Sequence, residues 1–460
     1  MEYVHSSRTR PPLPQGPFLV VGLARSGIAA ARALKSRGEA VFGVDSGAPA
    51  ELGDLDLAGI DYLTESDGVD ALDGVATLVK SPGVPVEAKV VAEARRRGIR
   101  VIGELELGWR LVEAAFVAVT GTNGKTTTTE LVAHVLRTAG RPVFAVGNIG
   151  SPLSELAERP VGDDVTVVCE CSSFQLEDIE HFAPECAVLL NLAPDHLDRH
   201  GSMADYGRIK RRIFMNQVAG DVAVINEADP FMAGVEPPGE AAVVRFLPAG
   251  KADVPIDLQM EDGMISVDGQ PLLPRSQLKL IGDHNVANAM AAAAAALSFG
   301  LTPESVAEGL RSFDGVAHRL EPVAEIDGIR FVNDSKATNV AATVTALASF
   351  ESGVRLILGG SRKGEPFDPL LPAVAGSCEA VYLVGESAAT IREALAPLAE
   401  SGLSIEDCGD LESAVSTAWG DSRAGETVLL SPSCASFDQF RDFEDRGDRF
   451  RRFVGTINAS

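Results

Sequence analysis

The chain has 460 residues, 45% of them hydrophobic and 23% charged, which is typical of a folded protein and excludes global disorder. At about 150 residues per domain, this length predicts about three domains, each able to bury a core without disulfides or structural metals. Lys and Arg number 40 against 65 Asp and Glu, and the resulting net charge of −25 argues against nucleic-acid partners and anionic membrane surfaces.

The N-terminal segment holds Arg8, Arg10 and several prolines but no hydrophobic run, so we predict a disordered tail over residues 1–17. Such a segment is not a secretory signal, and no apolar stretch in the chain reaches membrane-spanning length. The six cysteines fit neither a zinc motif nor a disulfide framework, and the run around Cys169 and Cys171 favours buried thiols. We therefore expect a reduced, cytoplasmic protein without membrane insertion.

After this segment, short runs rich in Val, Leu and Ile alternate with Ala-rich amphipathic stretches, which predicts parallel sheets with crossover helices in an α/β fold. Because the strand–turn–helix pattern restarts twice, we predict three domains: a Rossmann-like N-terminal domain over 18–106, a central domain with a mostly parallel sheet over 107–316, and a Rossmann-like C-terminal domain over 317–460. The predicted strands are 18–21, 40–44, 116–119, 165–169, 187–190, 329–332, 356–358, 381–384 and 428–430, and the predicted helices include 26–37 and 289–296.

The first predicted strand leads into GLARSG at 22–27, a G-x-A-x-x-G turn before a helix. A turn of this kind suits a diphosphate, and Asp45 at the end of the next strand could bind a ribose hydroxyl. A tight turn without a ligand is nearly as consistent with these residues, and Ala24 makes a nicotinamide dinucleotide a poor fit. The residues alone leave both interpretations open.

The strongest chemical signal is GTNGKTT at 121–127, between a predicted strand and a predicted helix. Backbone N–H groups of such a loop can surround phosphate oxygens, Lys125 can reach the terminal phosphates, and Thr126 can ligate Mg²⁺. Val119 stands where the strict P-loop pattern has its first glycine, so a glycine turn with a chance lysine is the alternative. Strand, glycines, Lys-Thr and helix together favour a central domain of the P-loop ATPase type.

Three further polar clusters follow predicted strands. Glu170 ends one strand and is followed by CSSFQ, which places a carboxylate at the edge of the sheet where ligands bind. His196 lies between acids in NLAPDHLD at 191–198, as a metal ligand or, on this evidence alone, more simply a surface histidine. NDSKATN at 333–339 is either a polar site or a loop with a helix cap.

These motifs occur together in an order that resembles the ATP-dependent Mur ligases of peptidoglycan synthesis. The shared runs are GTNGKTT, ECSSFQLE, NLAPDHLDRH, GDHNVANA at 282–289, HR at 318–319 and NDSKATN. The run SPSCASFDQF at 431–440, followed by Phe443, resembles the members of the family that add D-glutamate. The resemblance extends from about Phe18 to Phe453.

The resemblance implies an amide ligase that joins D-glutamate to UDP-N-acetylmuramoyl-L-alanine in cytoplasmic peptidoglycan precursor synthesis. ATP would activate the substrate carboxylate as an acyl phosphate, and attack by the amine would give a tetrahedral intermediate. The resemblance also implies ATP, two Mg²⁺ ions and a CO₂-derived carbamate on Lys210. Without the resemblance, the basic helix that carries Lys210 would be interpreted as a solvated face. A monomer is expected.

By position in the family motifs, residues are assigned to five groups. Those expected at the UDP-substrate are Arg25, Ser26, Asp45, Ser46, Ser81, Gly83 and Asn148. Those expected at ATP are Gly121, Thr122, Asn123, Gly124, Lys125, Thr126, Thr127, Asn285, Asn288, Arg319 and Asp334. Those expected at D-glutamate are Thr338, Lys363, Ser436 and Phe443, with Arg362 as the alternative to Lys363. The expected metal ligands are Thr126, Glu170, His196 and Lys210, and the expected catalytic residues are Lys125, His196, Lys210 and Lys336.

Other functions explain fewer of the motifs. A sister ligase or a folate polyglutamylating enzyme would share the ATP motifs, but GLARSG argues against the folate enzyme and SPSCASFDQF against the sisters. A nicotinamide dehydrogenase would explain the first turn but not GTNGKTT. A non-catalytic binding module is disfavoured because the catalytic positions are filled.

Overall fold

The computed structural model describes residues 8–49, 52–148, 150–162, 164–361 and 364–458. The chain forms two compact units. The first extends to Leu278 and includes Val286–Phe313, and the second comprises Lys279–Asn285 and the chain from Asp314 onward. The predicted domains 18–106 and most of 107–316 therefore lie in the first unit, and the predicted boundaries themselves stay predictions.

The first sheet of unit 1 is parallel, with strand order β3-β2-β1-β4-β5. Its central strand β1, FLVV, is buried throughout because apolar side chains cover both faces of the sheet. The elements are β1 (Phe18–Val21), α1 (Arg25–Ser36), β2 (Val41–Val44), α2 (Gly53–Ala58), β3 (Asp61–Leu63), β4 (Thr77–Lys80), α3 (Lys89–Arg96) and β5 (Arg100–Gly103). Between β1 and β4 the strand order reverses, and this is the position at which open α/β sheets bind ligands.

The second sheet has the order β14-β13-β12-β11-β10-β9-β6-β8-β7, parallel except for the pairs β12–β13 and β13–β14. Strand β6 lies between β8 and β9, so this sheet also has a point at which the strand order reverses. The elements are α4 (Glu104–Leu111), β6 (Ala115–Thr120), α5 (Lys125–Thr138), β7 (Val143–Gly147), α6 (Leu153–Leu156), β8 (Thr166–Glu170), α7 (Ser173–Leu176), β9 (Cys186–Leu189), α8 (Leu197–His200), α9 (Met203–Arg211), β10 (Val222–Asn226), β11 (Ala242–Leu247), β12 (Leu258–Glu261), β13 (Met264–Val267), β14 (Gln270–Pro274), α10 (His284–Ser298) and α11 (Pro303–Ser312).

Unit 2 contains the third sheet, with the order β15-β16-β20-β17-β18-β19. Strands β15 and β16 form an antiparallel pair, and the remaining pairs are parallel. The elements are β15 (Glu321–Ile326), β16 (Ile329–Asn333), α12 (Val340–Leu347), β17 (Val354–Gly359), α13 (Leu370–Ser377), β18 (Cys378–Val384), α14 (Ala388–Ala394), α15 (Ala396–Glu400), β19 (Ser404–Gly409), α16 (Leu411–Asp421), β20 (Thr427–Leu430) and α17 (Phe443–Asn458). Apolar cores cover both faces of this sheet.

The predicted α/β fold is confirmed, and every predicted strand and helix overlaps an observed element of the same type. The helix predicted at 26–37 is α1, and the Ala-rich stretch at 289–296 lies inside α10. Cys169 and Cys171 are buried, as expected. No helix in the described ranges is both long and apolar enough to cross a membrane.

Residues 8–17 of the predicted disordered tail belong to unit 1 and contact other parts of it, while residues 1–7 lie outside the described residues. The guanidinium of Arg10 lies 4.4 Å from the ring centre of Trp109 and 3.6 Å from a carboxylate oxygen of Glu185. Arg8 pairs with Asp221 at 2.5 Å. The local composition favoured disorder because it carries no information on these partners, which are distant in sequence.

Candidate active site

A cavity of about 610 Å³ lies at the carboxyl ends of the first-sheet strands, and we call it the first-sheet cavity. Its walls come from the turn after β1, the end of β2 and the loop after β4, and from the loop that follows β7 of the second sheet. All the residues assigned to the UDP-substrate line it, namely Arg25, Ser26, Asp45, Ser46, Ser81, Gly83 and Asn148. The structure thus brings together residues that are up to 123 positions apart in sequence, and their binding roles stay predictions.

The turn at 22–27 is held tightly against its neighbours. A Cβ on Gly27 would overlap the carbonyl oxygen of Gly22, so this approach requires glycine. The Ser81 hydroxyl donates to the same carbonyl at 2.6 Å, and an Asp45 carboxylate oxygen accepts from the Leu23 amide at 2.6 Å. The ends of three neighbouring strands are therefore fixed to one another around the mouth of the cavity.

The phosphate loop, residues 121–127, connects β6 to α5. Gly124 immediately precedes the helix with φ +82°, and a Cβ there would overlap the side-chain oxygen of Asn288. The Thr128 hydroxyl donates to that oxygen at 3.3 Å. Glycine at 124 therefore serves two needs, the left-handed backbone and the close approach of Asn288 to the loop.

Asn191 engages two backbone amides of the phosphate loop. Its carbonyl oxygen accepts from the Thr122 amide at 3.0 Å, and its side-chain oxygen accepts from the Asn123 amide at 2.8 Å. These two amides are therefore bonded within the protein, and the assignment of Thr122 and Asn123 to ATP stays a prediction. Helix geometry leaves the first-turn amides, such as those of Thr126 and Thr127, without intrahelical acceptors, and these are the groups suited to phosphate oxygens.

Two lysines converge on one carbonyl of the phosphate loop. The ammonium of Lys125 donates to the Gly121 oxygen at 3.0 Å, and that of Lys210 donates to the same oxygen at 2.7 Å. Lys210 is only 1% exposed. Burial first, and then the charge of Lys125, lower the pKa of Lys210 well below its usual value. The buried position of Lys210 beside Lys125 favours a neutral amine. The interpretation of its helix as a solvated face does not explain this burial.

The Glu170 carboxylate lies between the phosphate loop and the first-sheet cavity. One of its oxygens accepts from the Thr126 hydroxyl at 2.9 Å, and the other accepts from the Asn148 amide at 2.9 Å. Glu170 is 1% exposed and pairs with no basic side chain among the described residues. In the same ranges, no group of three His, Cys, Asp or Glu side chains converges to hold a metal. A buried carboxylate beside a threonine hydroxyl nevertheless suits Mg²⁺, which takes its remaining ligands from phosphates and water.

His196 lies at the start of α8 with its side chain 49% exposed. Its ring nitrogen is 3.5 Å from an Asp195 carboxylate oxygen, and its ring centre is 4.8 Å from that of Phe174. The backbone of His196 is left-handed, with φ +51°. A half-exposed imidazole is open to a ligand, so its assignment to a metal stays a prediction.

Unit 2 carries a second group of assigned residues at the carboxyl ends of β16 and β20. One Asp334 carboxylate oxygen accepts from the Ser431 hydroxyl at 2.7 Å, and the other accepts from the Leu320 amide at 3.1 Å. Burial raises the pKa of Asp334 to about 7, against the opposing charges of Arg319 and Arg446. Burial therefore lets this carboxyl hold its proton at a higher pH than an exposed aspartate would.

The guanidinium of Arg446, 1% exposed, holds the segments around this carboxyl together. It donates to the Ser335 hydroxyl and carbonyl at 2.9 and 2.8 Å and to the Cys434 carbonyl at 3.1 Å. The Ser335 hydroxyl in turn donates to the Phe443 carbonyl at 2.8 Å. NDSKATN and SPSCASFDQF are thereby joined into one structure, as their assignment to one domain requires.

Lys336, Thr338 and Ser436 lie on these two segments, while Asn285 lies in the part of unit 2 formed by Lys279–Asn285. The Lys336 ammonium is 5.4 Å from the ring centre of Phe443, and Ser436 is 2% exposed. The Thr338 amide donates to the Lys336 carbonyl at 2.8 Å, and the Asn285 side chain donates to the Ile281 carbonyl at 2.7 Å. Lys363 and its alternative Arg362 lie outside the described residues.

The sequence analysis missed a group of buried charges around the loop after β4, residues 81–85, which we call the rim loop. Arg199 pairs with Glu177 at 2.5 Å, and Lys80 pairs with Asp178 at 2.9 Å. All four side chains are at most 14% exposed. The only signal in the sequence was a lysine ending an otherwise apolar strand, TLVK.

Family comparisons agree with this arrangement along the chain. A model described as Mur ligase MurD-like, N-terminal domain, matches residues 17–103. The model for the Mur ligase middle domain matches 119–296, and that for the Mur ligase, glutamate ligase domain matches 318–434.

Similar proteins match nearly end to end. The UDP-N-acetylmuramoylalanine–D-glutamate ligase of Pelotomaculum thermopropionicum is 43% identical over 444 residues, 95% of this chain and 96% of that protein. The ligase of the same name from Myxococcus xanthus is 40% identical over 452 residues, 95% and 98% of the two chains.

Solved structures share the three-domain α/β fold. The UDP-N-acetylmuramate-alanine ligase MurC of Thermotoga maritima has a TM-score of 0.59 at 21% identity and covers 96% of this chain and 99% of its own. MurF of Acinetobacter baumannii has a TM-score of 0.60 at 16% identity and covers 96% and 93%. Since sequence motifs, family models and near full-length relatives agree, the chain belongs to the Mur ligase family.

Proposed function

We propose that this chain is the ATP-dependent ligase that joins D-glutamate to UDP-N-acetylmuramoyl-L-alanine, the reaction named in its relatives. The observation that carries the proposal is a continuous path of contacts from cavity to phosphate loop. Asn148 lines the first-sheet cavity and donates to Glu170, which accepts from Thr126 of the phosphate loop. A carboxylate at the end of a substrate in the cavity would therefore lie beside the γ-phosphate of ATP.

Proximity of this kind is what the chemistry requires. A carboxylate is a poor electrophile, and transfer of the γ-phosphoryl group converts it into an acyl phosphate with ADP as the other product. The amine of D-glutamate, after losing a proton, attacks the acyl carbon, and the tetrahedral intermediate expels phosphate. Because a carboxylate and a phosphate repel each other, Lys125 and the first turn of α5 are needed to neutralise their charge.

Mg²⁺ would supply further neutralisation of the phosphate oxygens. We assign one ion to Thr126 and Glu170, which lie 2.9 Å apart. A second ion is assigned to His196 and to Lys210 as its carbamate, since carbamylation needs a neutral amine and produces an anionic oxygen ligand. Burial of Lys210 beside Lys125 supports this modification.

D-glutamate would bind in unit 2, where Ser436, Phe443 and Thr338 lie on segments joined by Arg446 and Ser335. From the same unit, Arg319 and Lys336 would bind phosphate oxygens and Asp334 the ribose. The adenine would face Asn285 and Asn288. The protein would act in the cytoplasm as a monomer, with UDP-N-acetylmuramoyl-L-alanine, D-glutamate and ATP as its partners.

The test is phosphate release from ATP in the presence of UDP-N-acetylmuramoyl-L-alanine and one amino acid at a time. We expect release with D-glutamate and none with L-alanine or a diamino acid. The UDP-substrate without its alanine serves as the control, because it lacks the carboxylate at the required distance. Release with a diamino acid and not with D-glutamate would assign the chain to a sister ligase.

A further inference from the structure

Helix α8, Leu197–His200, is a single turn and cannot be stable without tertiary contacts. His196 directly precedes it with a left-handed backbone, φ +51°, which is unfavourable for a non-glycine residue. Such a conformation persists only where surrounding structure holds it. The position of His196 therefore depends on whatever fixes the far end of α8.

That far end is fixed by Arg199 and His200. The imidazole of His200 lies 2.9 Å from the Ser173 hydroxyl and its side chain is 1% exposed. The guanidinium of Arg199 forms two hydrogen bonds to the carboxylate of Glu177, at 2.5 and 3.2 Å. Because paired contacts of this kind define direction as well as distance, Arg199 determines how α8 is oriented.

Arg199 also contacts the rim loop. It donates to the carbonyl oxygens of Pro82 at 3.2 Å and Val84 at 3.4 Å, and both residues line the first-sheet cavity. Lys80 donates to the same Val84 carbonyl at 2.9 Å, and its ammonium pairs with Asp178 at 2.9 Å and with Glu177 at 3.9 Å. Of these two cations, Arg199 is the one that belongs to α8 itself, the helix that directly follows His196.

Phe174 completes the connection. Its ring centre lies 4.1 Å from the Arg199 guanidinium and 4.8 Å from the ring centre of His196. A displacement of Arg199 would remove the cation from one side of the ring and loosen the support of the imidazole. Rim loop, Arg199, Phe174 and His196 thus form one packed series.

We propose that Arg199 is a positioning residue that couples occupancy of the first-sheet cavity to the metal-binding geometry of His196. The proposal rests on the proposed function, which places the UDP-substrate in the cavity and a metal at His196. Substrate that orders the rim loop fixes Arg199, and Arg199 fixes α8. By reciprocity, metal binding at His196 tightens the cavity for the UDP-substrate.

The test compares Arg199→Met with the wild type in two binding measurements that need no turnover. Calorimetry without ATP or metal gives the Kd of UDP-N-acetylmuramoyl-L-alanine, and we expect it to rise about tenfold in the variant. Electron paramagnetic resonance gives the affinity for Mn²⁺ with ADP present. In the wild type, saturating UDP-substrate should tighten Mn²⁺ binding about fivefold or more, and in the variant by less than about twofold.

Arg32→Met is the matched control. Arg32 of α1 also holds two segments together, through Asp54 at 2.7 Å and Glu158 at 2.6 Å, and neither of these partners belongs to the rim loop or to α8. This variant should leave both affinities at their wild-type values. Glu177→Gln removes the charge with little change of shape, and it should shift both affinities in the same direction as Arg199→Met if the latter does not fold.

Arg199→Lys keeps the charge but cannot hold Glu177 and two carbonyls together, so it should lose the coupling while keeping part of the substrate affinity. Undiminished tightening of Mn²⁺ binding in Arg199→Met and Glu177→Gln would overturn the proposal. Turnover with D-glutamate is measured on the wild type in the same series. Its absence would refute the proposed function, while the two affinities would still decide the role of Arg199.

Discussion

Replacing Asp334 by Asn should change how the stability of unit 2 depends on pH. The carboxyl is buried, with Ser431 and the Leu320 amide donating to its two oxygens. An Asn can keep the bond from Leu320 through its oxygen, and its NH₂ can donate to the Ser431 hydroxyl, which rotates to accept. The substitution therefore removes the titration with little change in packing.

The magnitude follows from the raised pKa of Asp334, about 7 in the folded protein against an ordinary value of 3.8. Between these two values the folded state holds a proton that the unfolded state has lost, so the free energy of unfolding falls as the pH rises. A difference of about 3 pKa units corresponds to at most about 4 kcal/mol. This contribution is fully present below about pH 4 and is lost above about pH 7.

Fluorescence can report on unit 2 alone, because the chain has two tryptophans and Trp419 lies in α16 of that unit. In a Trp109→Phe background, urea unfolding followed through Trp419 would be measured from pH 5 to pH 8 with and without Asp334→Asn. We expect the parent to lose stability relative to the Asn variant as the pH rises. Asp314→Asn, whose parent side chain is 83% exposed, should leave the pH dependence unchanged. Parallel stability curves for the parent and Asp334→Asn would refute the argument from burial.

Four further variants address the phosphate loop and Lys210, which donates to it. Lys125→Ala should reduce turnover at least about 100-fold and leave the calorimetric Kd of the UDP-substrate unchanged, since Lys125 bonds within the loop and does not line the cavity. Gly124→Ala should weaken binding of a non-hydrolysable ATP analogue, because a left-handed alanine costs about 1–2 kcal/mol and its Cβ displaces Asn288; unchanged affinity would contradict the packing described. Lys210→Ala should lose most activity and recover part of it with acetate. Lys210→Arg that kept full activity in CO₂-depleted buffer would exclude the carbamate.

The sequence predicted several of the buried parallel strands, because apolar runs such as FLVV and TVVCE are typical of strands covered on both faces. It did not predict others, such as β4 and β10. It did not predict the antiparallel strands β12–β14. Their residues are partly exposed and mixed in polarity, as in QPLLP and LQME, so no clear alternation distinguishes them from loops. Strand β15 was not predicted, for the same reason.

At the site, the family resemblance identified residues that line the first-sheet cavity, but not the charged residues that hold the cavity walls in place. Lys80, Glu177 and Arg199 are charged, and single charges in a sequence are usually solvent-exposed. Their burial depends on pairing between the first and second sheets, which no local pattern encodes. Asn191 was noticed as part of a polar cluster, yet its bonds to the loop amides depend on the neighbouring positions of β6 and β9.

The packing of residues 8–17 has a practical consequence for producing the protein. Arg10 covers the indole of Trp109 and approaches Glu185, whose carboxylate also accepts from the Phe116 amide at 2.7 Å. A truncation that starts at Phe18 would uncover the indole and leave a buried carboxylate without its cation, which favours aggregation. An affinity tag is therefore best placed ahead of Arg8, with the whole of this segment retained.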